Sequence, residues 1–145
     1  MGVRVNVRTT VDRSAMQAFM NQQVADGVRR AAGRVRDGAK DMITAAGRVD
    51  VGTLRNANVA EVTSVQGTRV TGRVVNDARH AEWNHEGTGV HGPRGTPIVP
   101  RRARVLRFRP RGSATYVFAP EVQGMRPVPF LTTPLSRLRV DDFTP

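Results

Sequence analysis

The stretch that decides the fold is SAMQAFMNQQVADGVRRAAGRVRDGAKDMITAAG, residues 14–47. Its apolar side chains recur at spacings of three and four, which places them on one face of a helix. They are Met16, Phe19, Met20, Val24, Val28, Ala31, Val35, Ala39, Met42, Ile43 and Ala46. Arginine and aspartate fall largely on the other face. We expect Asp12 or Ser14 to be the N-cap and Gly47 to end the helix.

This helix is long for a small domain. At 1.5 Å per residue it covers about 50 Å, whereas a small domain is about 30 Å across. We therefore expect part of its apolar face to pack on a neighbouring subunit. Gly27, Gly33 and Gly38 each weaken it by about 1 kcal/mol relative to Ala, and the sequence allows a break near Gly33 or Gly38.

The apolar period changes to two after the helix. Two runs rich in Val and Thr, 58–65 and 69–76, flank Gln66-Gly67-Thr68, which predicts a β-hairpin with a tight turn. Residues 105–109 and 115–119 predict two further short strands joined by a turn at Gly112-Ser113. The alternation in 105–109 puts Arg107 and Arg109 on one sheet face, opposite Leu106 and Phe108.

The C-terminal part begins with a linker, residues 124–129. Residues 130–138 predict a short terminal helix, or an anchor packed through Phe130, Leu131, Leu135 and Leu138. The segment 139–145 and the N-terminal segment 1–13 are expected to be extended tails.

The fold class is therefore α+β, with one long N-terminal helix packed on a small antiparallel sheet. We expect a single domain over 1–145, in which the helix is followed by the sheet region 48–124 and by the anchor and tail 125–145. The sheet region includes a segment rich in Arg, Pro and Gly, residues 89–112, which we call the arginine arm.

Composition narrows the function classes. The chain has 145 residues, a formal net charge of +11 and no cysteine, so disulfides, thiolate metal sites and a cysteine nucleophile are excluded. No apolar run approaches the roughly 20 residues that span a bilayer. A chain this basic is attracted to polyanions such as nucleic acid, or to an acidic protein partner.

The positive charge is concentrated in the arginine arm. Residues 94–111 contain no acid and seven arginines, namely Arg94, Arg101, Arg102, Arg104, Arg107, Arg109 and Arg111. Pro and Gly at this density rule out a helix and favour an extended loop. The arm suits contact with phosphates or with carboxylates of a neighbouring protein. The only aromatic among these arginines is Phe108, so recognition by base stacking is poorly supported.

The polar stretch 80–91 is the one place where catalysis deserves testing. It contains His80, His85 and His91, two glutamates and the only Trp. The histidine spacing does not match the i, i+4 pair of helical zinc proteases, and no serine-nucleophile or phosphate-loop motif is present. We expect no catalytic residue, metal or cofactor here and a structural role instead, in which Trp83 packs and Glu86 pairs with an arginine.

Three segments, taken in order, resemble the neck proteins of long-tailed bacteriophages, which act as head–tail connector or tail-completion proteins. Residues 48–57 resemble the family stretch Pro-Val-Asp-Thr-Gly-x-Leu-Arg, residues 80–88 its Glu-Gly-Thr segment, and residues 129–135 its Pro-Phe-Leu-x-Pro-Ala-Leu. The matching residues are Val49, Asp50, Gly52, Leu54, Arg55, Glu86, Gly87, Thr88, Pro129, Phe130, Leu131 and Pro134. The chain departs from the pattern at Arg48, Val51 and His80, and it has one extra residue before Pro134.

The resemblance implies a structural virion protein without enzymatic activity. Such proteins form a homo-oligomeric ring in the neck, most often of six copies because the tail has that symmetry. Their neighbours are connector or stopper proteins and tail terminator or tail tube proteins, and the genome passes through the ring. The implied location is the virion neck after assembly in the host cytoplasm, without contact to a membrane.

Two other function classes stay open. The charge and size also fit a small basic protein that binds nucleic acid without sequence preference. A metal hydrolase that uses His80, His85 and Glu86 is the weakest alternative.

Overall fold

The computed structural model describes residues 10, 12–49, 52–67 and 69–144, so most of the predicted N-terminal tail, together with Asp50, Val51 and Thr68, lies outside the described residues. Helix α1, Arg13–Ala45, is unbroken over 33 residues, and the break allowed at its glycines does not occur. Asp12 is its N-cap, with the carboxylate accepting from the backbone N–H groups of Ser14 and Ala15.

Both ends of α1 are closed by local hydrogen bonds. The pKa of Asp12 lies below its ordinary value because the Ser14 hydroxyl and then the two backbone N–H groups donate to the carboxylate. At the other end Gly47 takes a φ of +65°, which costs glycine little. The amides of Gly47 and Arg48 return to the carbonyls of Thr44 and Ile43, a left-handed ending of the kind common at helix C-termini.

The predicted hairpin is confirmed. A short helix α2, Thr53–Asn56, leads into β1, Asn58–Gln66, which pairs antiparallel with β2, Arg69–Asn76. The register carries an irregularity between Val62 and Ser64. The hairpin lies against α1 where Gly72 faces Val28, because a Cβ at Gly72 would stand 2.6 Å from the Val28 Cγ1. Glycine at this position lets the strand approach the helix closely.

The fold is α+β, as predicted, with one long N-terminal helix and short antiparallel strands. The strands form two separate two-stranded sheets. Among the described residues, strands β3, Leu106–Phe108, and β4, Val117–Ala119, pair only with each other. An isolated bridge between Ile98 and Val122 extends this second hairpin. The sequence correctly predicted both pairs of strands. It did not show that they stay apart, because strand association depends on long-range contacts.

The residues after Leu138 do not form the predicted extended tail. Helix α4, Thr132–Ser136, is followed by a 3-10 helix, Val140–Phe143, that packs on α1. Arg30 donates a hydrogen bond of 2.9 Å to the Phe143 carbonyl, and Arg34 forms an ion pair with Asp142. The contacts that hold this short element come from residues of α1 more than a hundred positions away, so local periodicity does not indicate it.

A small core lies at the C-terminal half of α1. Its buried residues are Ala39, Ile43, Leu54, Ala81 and Phe130. The first buried residue of α1 is Ala25, so the first three turns of the helix contain no fully buried residue. No helix among the described residues is long and apolar enough to cross a membrane.

Candidate functional site

The three family-like segments meet in the core. Leu54 comes from the first, Ala81 from the second and Phe130 from the third, and they pack together against Ala39 and Ile43 of α1. Phe130 is fully buried. Val49 and Leu131, also from these segments, are half-buried against the same cluster. The apolar residues of these segments therefore hold the fold together.

The first segment bends the chain from α1 into the hairpin. Gly52 has a φ of +81° and precedes α2, while Arg55 is exposed. The carbonyl of Leu54 accepts from the side-chain amide of Asn76 at 2.7 Å. Asn58, which is buried, donates to the carbonyl of Arg55 at 3.0 Å. The role expected for Asp50 in this turn falls outside the described residues.

The second segment clamps the chain that leads to Phe130. It forms helix α3, Ala81–Glu86, which sequence reasoning missed. The carbonyl of Asn84, within α3, accepts the Val128 N–H at 2.8 Å. Thr88 exchanges two hydrogen bonds of 2.9 Å with Met125, one through its N–H and one through its hydroxyl.

Gly87 lets this clamp close. It has a φ of +82°, and a Cβ there would lie 2.7 Å from the His91 carbonyl oxygen and 2.9 Å from that of Met125. Any side chain would both clash and be strained. Glycine at this position is therefore explained by backbone packing.

The third segment forms the predicted C-terminal anchor, except for Leu135. Phe130 is buried, Leu131 and Leu138 are half-buried, and Pro134 packs against Gly38 of α1. Leu135, expected inside the anchor, is 58% exposed, which corrects that prediction. Pro129 is exposed and its carbonyl accepts from Thr133 N–H at 3.0 Å, which starts α4.

The histidines are spread apart. In the described residues no three His, Cys, Asp or Glu side chains group as metal ligands. His85 lies edge-on to the Phe130 ring, with ring centroids 5.2 Å apart, so its ring packs on the core.

Two structural expectations for this stretch are wrong. Trp83 is 59% exposed instead of packed. Glu86 is exposed, and the described part of the chain gives it no ion pair with an arginine. Both side chains line an open groove of about 530 Å³, which also includes Arg94 and Arg101. The local sequence did not indicate that α3 exposes the side chains of Trp83 and Glu86.

The arginine arm carries its charge on the surface. All seven of its arginines are solvent-exposed, and within the described residues none forms an ion pair with a carboxylate. Arg107 lies over the Tyr116 ring at 3.9 Å from its centroid. Arg111 donates to the carbonyls of Gly47 and Val49. Arg111 thus fixes the arm to the end of α1.

The remaining five arginines make no intramolecular hydrogen bond in the described part of the chain: Arg94, Arg101, Arg102, Arg104 and Arg109. Phe108 is the only aromatic residue between these arginines in the sequence, but the second hairpin also exposes Tyr116 by 51% and Phe118 by 62%. A surface that combines cations with exposed aromatics suits polar or anionic partners.

A second exposed surface runs along the first turns of α1. Met16, Phe19, Met20 and Val24 are 51%, 64%, 54% and 45% exposed. These four side chains continue the apolar face that is buried further along the helix.

Asp37, on the solvent side of α1, has a pKa below its ordinary value because Arg36 donates hydrogen bonds to its carboxylate.

Comparison with known proteins adds no relative: no family model, curated protein or solved structure matches the chain.

Proposed function

We propose that the chain is a structural subunit of a ring in the neck of a long-tailed bacteriophage, where it helps to join head to tail around the DNA channel. The observation that supports this most is the meeting of the three family-like segments in one core. The matching residues, which run from Val49 to Pro134, resemble the family in order, and several of them also pack in one core. A chance resemblance would not be expected to select residues that pack together.

The exposed surfaces fit a subunit better than an isolated protein. The described residues carry a small core, an apolar helix surface left in solvent and an arm of exposed arginines. The largest exposed apolar patch of a protein is often a functional contact surface. In the proposed ring, copies meet through apolar surface while the arms reach the neighbouring rings, which are formed by connector or stopper proteins and by tail terminator or tail tube proteins.

We favour a protein neighbour over DNA as the target of the arm. Its prolines at 93, 97, 100 and 110 restrict the backbone, and a restricted backbone suits a defined dock. Arginine forks bind carboxylates in fixed bidentate geometry. DNA that moves through a channel needs weaker and less specific contacts, which the outermost arginines are also able to supply.

The purified chain is expected to be monomeric or weakly associating, and to close into a ring, of six copies by tail symmetry, only in the virion. Light scattering that shows a stable, discrete hexamer of the isolated chain would contradict the first half. A single copy per virion would contradict the second.

The function itself is tested by removing the gene from the phage that carries it. The proposal predicts filled heads and free tails that fail to join, with joining restored by the chain supplied in trans. Normal numbers of joined particles in the absence of the chain would refute it.

A small basic nucleic-acid-binding protein is the second candidate, favoured by the unpaired arginines of the arm. Such a protein would bind duplex DNA with an affinity that falls steeply with salt, by a log–log slope of about −0.9 per neutralised phosphate. Tight binding of this kind, together with normal head–tail joining in the deletion phage, would establish the alternative.

A further inference from the structure

The exposed apolar surface of α1 is a ridge about two and a half turns long. We call Met16, Phe19, Met20 and Val24 the apolar ridge. Together these half-exposed side chains offer on the order of a few hundred Å², which matches the largest apolar patches of ordinary monomers, and those patches are often functional.

A concave apolar surface lies further along the same helix. A cleft of about 460 Å³ opens between α1, β2 and the C-terminal elements. We call it the apolar cleft. Its walls include Val28 and Val35 of α1, Val70 and Val74 of β2, and Leu135. Leu135, the anchor residue that stays exposed, stands at this wall.

The ridge and the cleft cannot meet within one chain. Both belong to α1, which is continuous from Arg13 to Ala45, and an unbroken helix cannot fold back on itself. The ridge therefore fills a cleft only if the cleft belongs to another copy.

Charge favours a second copy at this place. The chain carries a net charge of +11, so two copies repel each other over most of their surface. Residues 14–28 contain no basic residue and one acid, Asp26. The cation at the cleft, Arg73, is paired with Glu61 at 2.6 Å. Copies that approach ridge to cleft thus bring together two surfaces with little unpaired positive charge.

We propose that the apolar ridge of each copy packs into the apolar cleft of the next copy around the ring. The two surfaces differ, so the contact is head-to-tail, and head-to-tail contacts close into rings when the rotation permits. The closed ring rests on the proposed function, whereas the pairwise contact does not. Its area is below the roughly 800 Å² per partner of a stable interface, which explains why the isolated chain should associate weakly.

Cross-linking tests the contact directly because the chain has no native cysteine. Two differently tagged chains, one with Met20→Cys and one with Leu135→Cys, are mixed at high concentration and treated with a short bis-maleimide. The control replaces Met20→Cys by Ala18→Cys, which is exposed on the opposite side of α1. Ala18, Met20 and Leu135 are all exposed, so each cysteine variant is expected to keep the fold, which circular dichroism verifies.

We expect the ridge–cleft pair to cross-link at least about tenfold more than the control, because an interface holds its groups at a high effective concentration. Adding Phe19→Glu to the Met20→Cys chain should abolish this excess. Equal yields for the ridge pair and the control would overturn the contact.

A chain that carries both Met20→Cys and Leu135→Cys tests the direction of the contact. A head-to-tail contact gives a ladder of products beyond the dimer. Products that stop at the dimer would show a reciprocal contact and overturn the head-to-tail proposal.

The two failures are distinguishable. A cross-link that fails while the deletion phage lacks head–tail joining refutes the contact and leaves the neck function standing. A cross-link that succeeds while the deletion phage joins normally refutes the neck function and leaves the contact standing.

Discussion

Two glycines of α1 make a matched test of how the C-terminus is held. Gly27 faces the C-terminal 3-10 helix, and a Cβ there would lie 2.5 Å from the Phe143 carbonyl oxygen. Gly33 has nothing within 4 Å of the same position. Replacing either residue by alanine changes the helix propensity equally, so the difference between the two variants isolates the contact.

The expected magnitudes follow from these distances. Gly33→Ala should raise the free energy of unfolding by about 1 kcal/mol, the usual propensity gain in a helix interior. Gly27→Ala receives the same gain but must displace the backbone of Phe143, and such overpacking costs about 1–3 kcal/mol. The displacement also strains the hydrogen bond from Arg30 to the Phe143 carbonyl. The two variants should therefore differ by about 1–3 kcal/mol, with Gly27→Ala the less stable.

Urea denaturation followed by circular dichroism measures both free energies, and limited proteolysis reports on the C-terminus. We expect the C-terminal residues of Gly27→Ala to be cleaved sooner than those of Gly33→Ala. If Gly27→Ala is stabilised as much as Gly33→Ala, the 3-10 helix does not pack on α1 and this part of the fold is refuted.

Three further predictions concern the core, the arm and the helix cap. Phe130→Ala should cost about 3–5 kcal/mol in unfolding free energy because the ring is fully buried, whereas the matched Phe118→Ala, 62% exposed, should change it by less than about 0.5 kcal/mol; equal effects would refute the core. A triple variant removes exposed arginines of the arm: Arg101→Ser, Arg102→Ser and Arg104→Ser. Its melting temperature should be unchanged while head–tail joining fails, and normal joining with abnormal DNA ejection would assign the arm to the channel instead. The pKa of Asp12 is lowered in the folded state, so its carboxylate stabilises the fold at pH values above the unfolded pKa near 3.8, and this contribution is lost as the pH falls through the lowered pKa. The melting temperatures of the wild type and Asp12→Ala should therefore differ at neutral pH and converge in acid. A difference that persists at low pH would contradict the cap.

The long elements were predictable because their patterns are local. The periodicity of α1 and its ending at Gly47 agree with the structure, as do both strand pairs, and Asp12 is one of the two N-caps that were expected. Phe130 was expected to pack inside the C-terminal anchor, and it is fully buried. In each case a few neighbouring residues carry the signal.

The short elements were not predictable for the opposite reason. Helix α3 has six residues and the C-terminal 3-10 helix has four, too few to show a period. Their positions depend on distant partners, such as the ion pair between Arg34 and Asp142. The exposure of Trp83 and Leu135 likewise depends on what surrounds them, which no local pattern encodes.

The candidate surfaces were predictable in part. The excess length of α1 indicated a subunit contact, and the structure leaves its first turns exposed. The arginine count indicated the arm, but not that Arg111 is bound to the end of α1 or that Tyr116 and Phe118 are exposed beside it. The apolar cleft joins residues from three distant parts of the chain and left no trace in the sequence.

Electron cryomicroscopy of the neck of the intact virion tests the central claim most directly. We expect a closed ring of this chain between the portal-bound connector and the tail tube, with the DNA channel at its centre. Neck density fully explained by other proteins, with this chain absent from the particle, would contradict it.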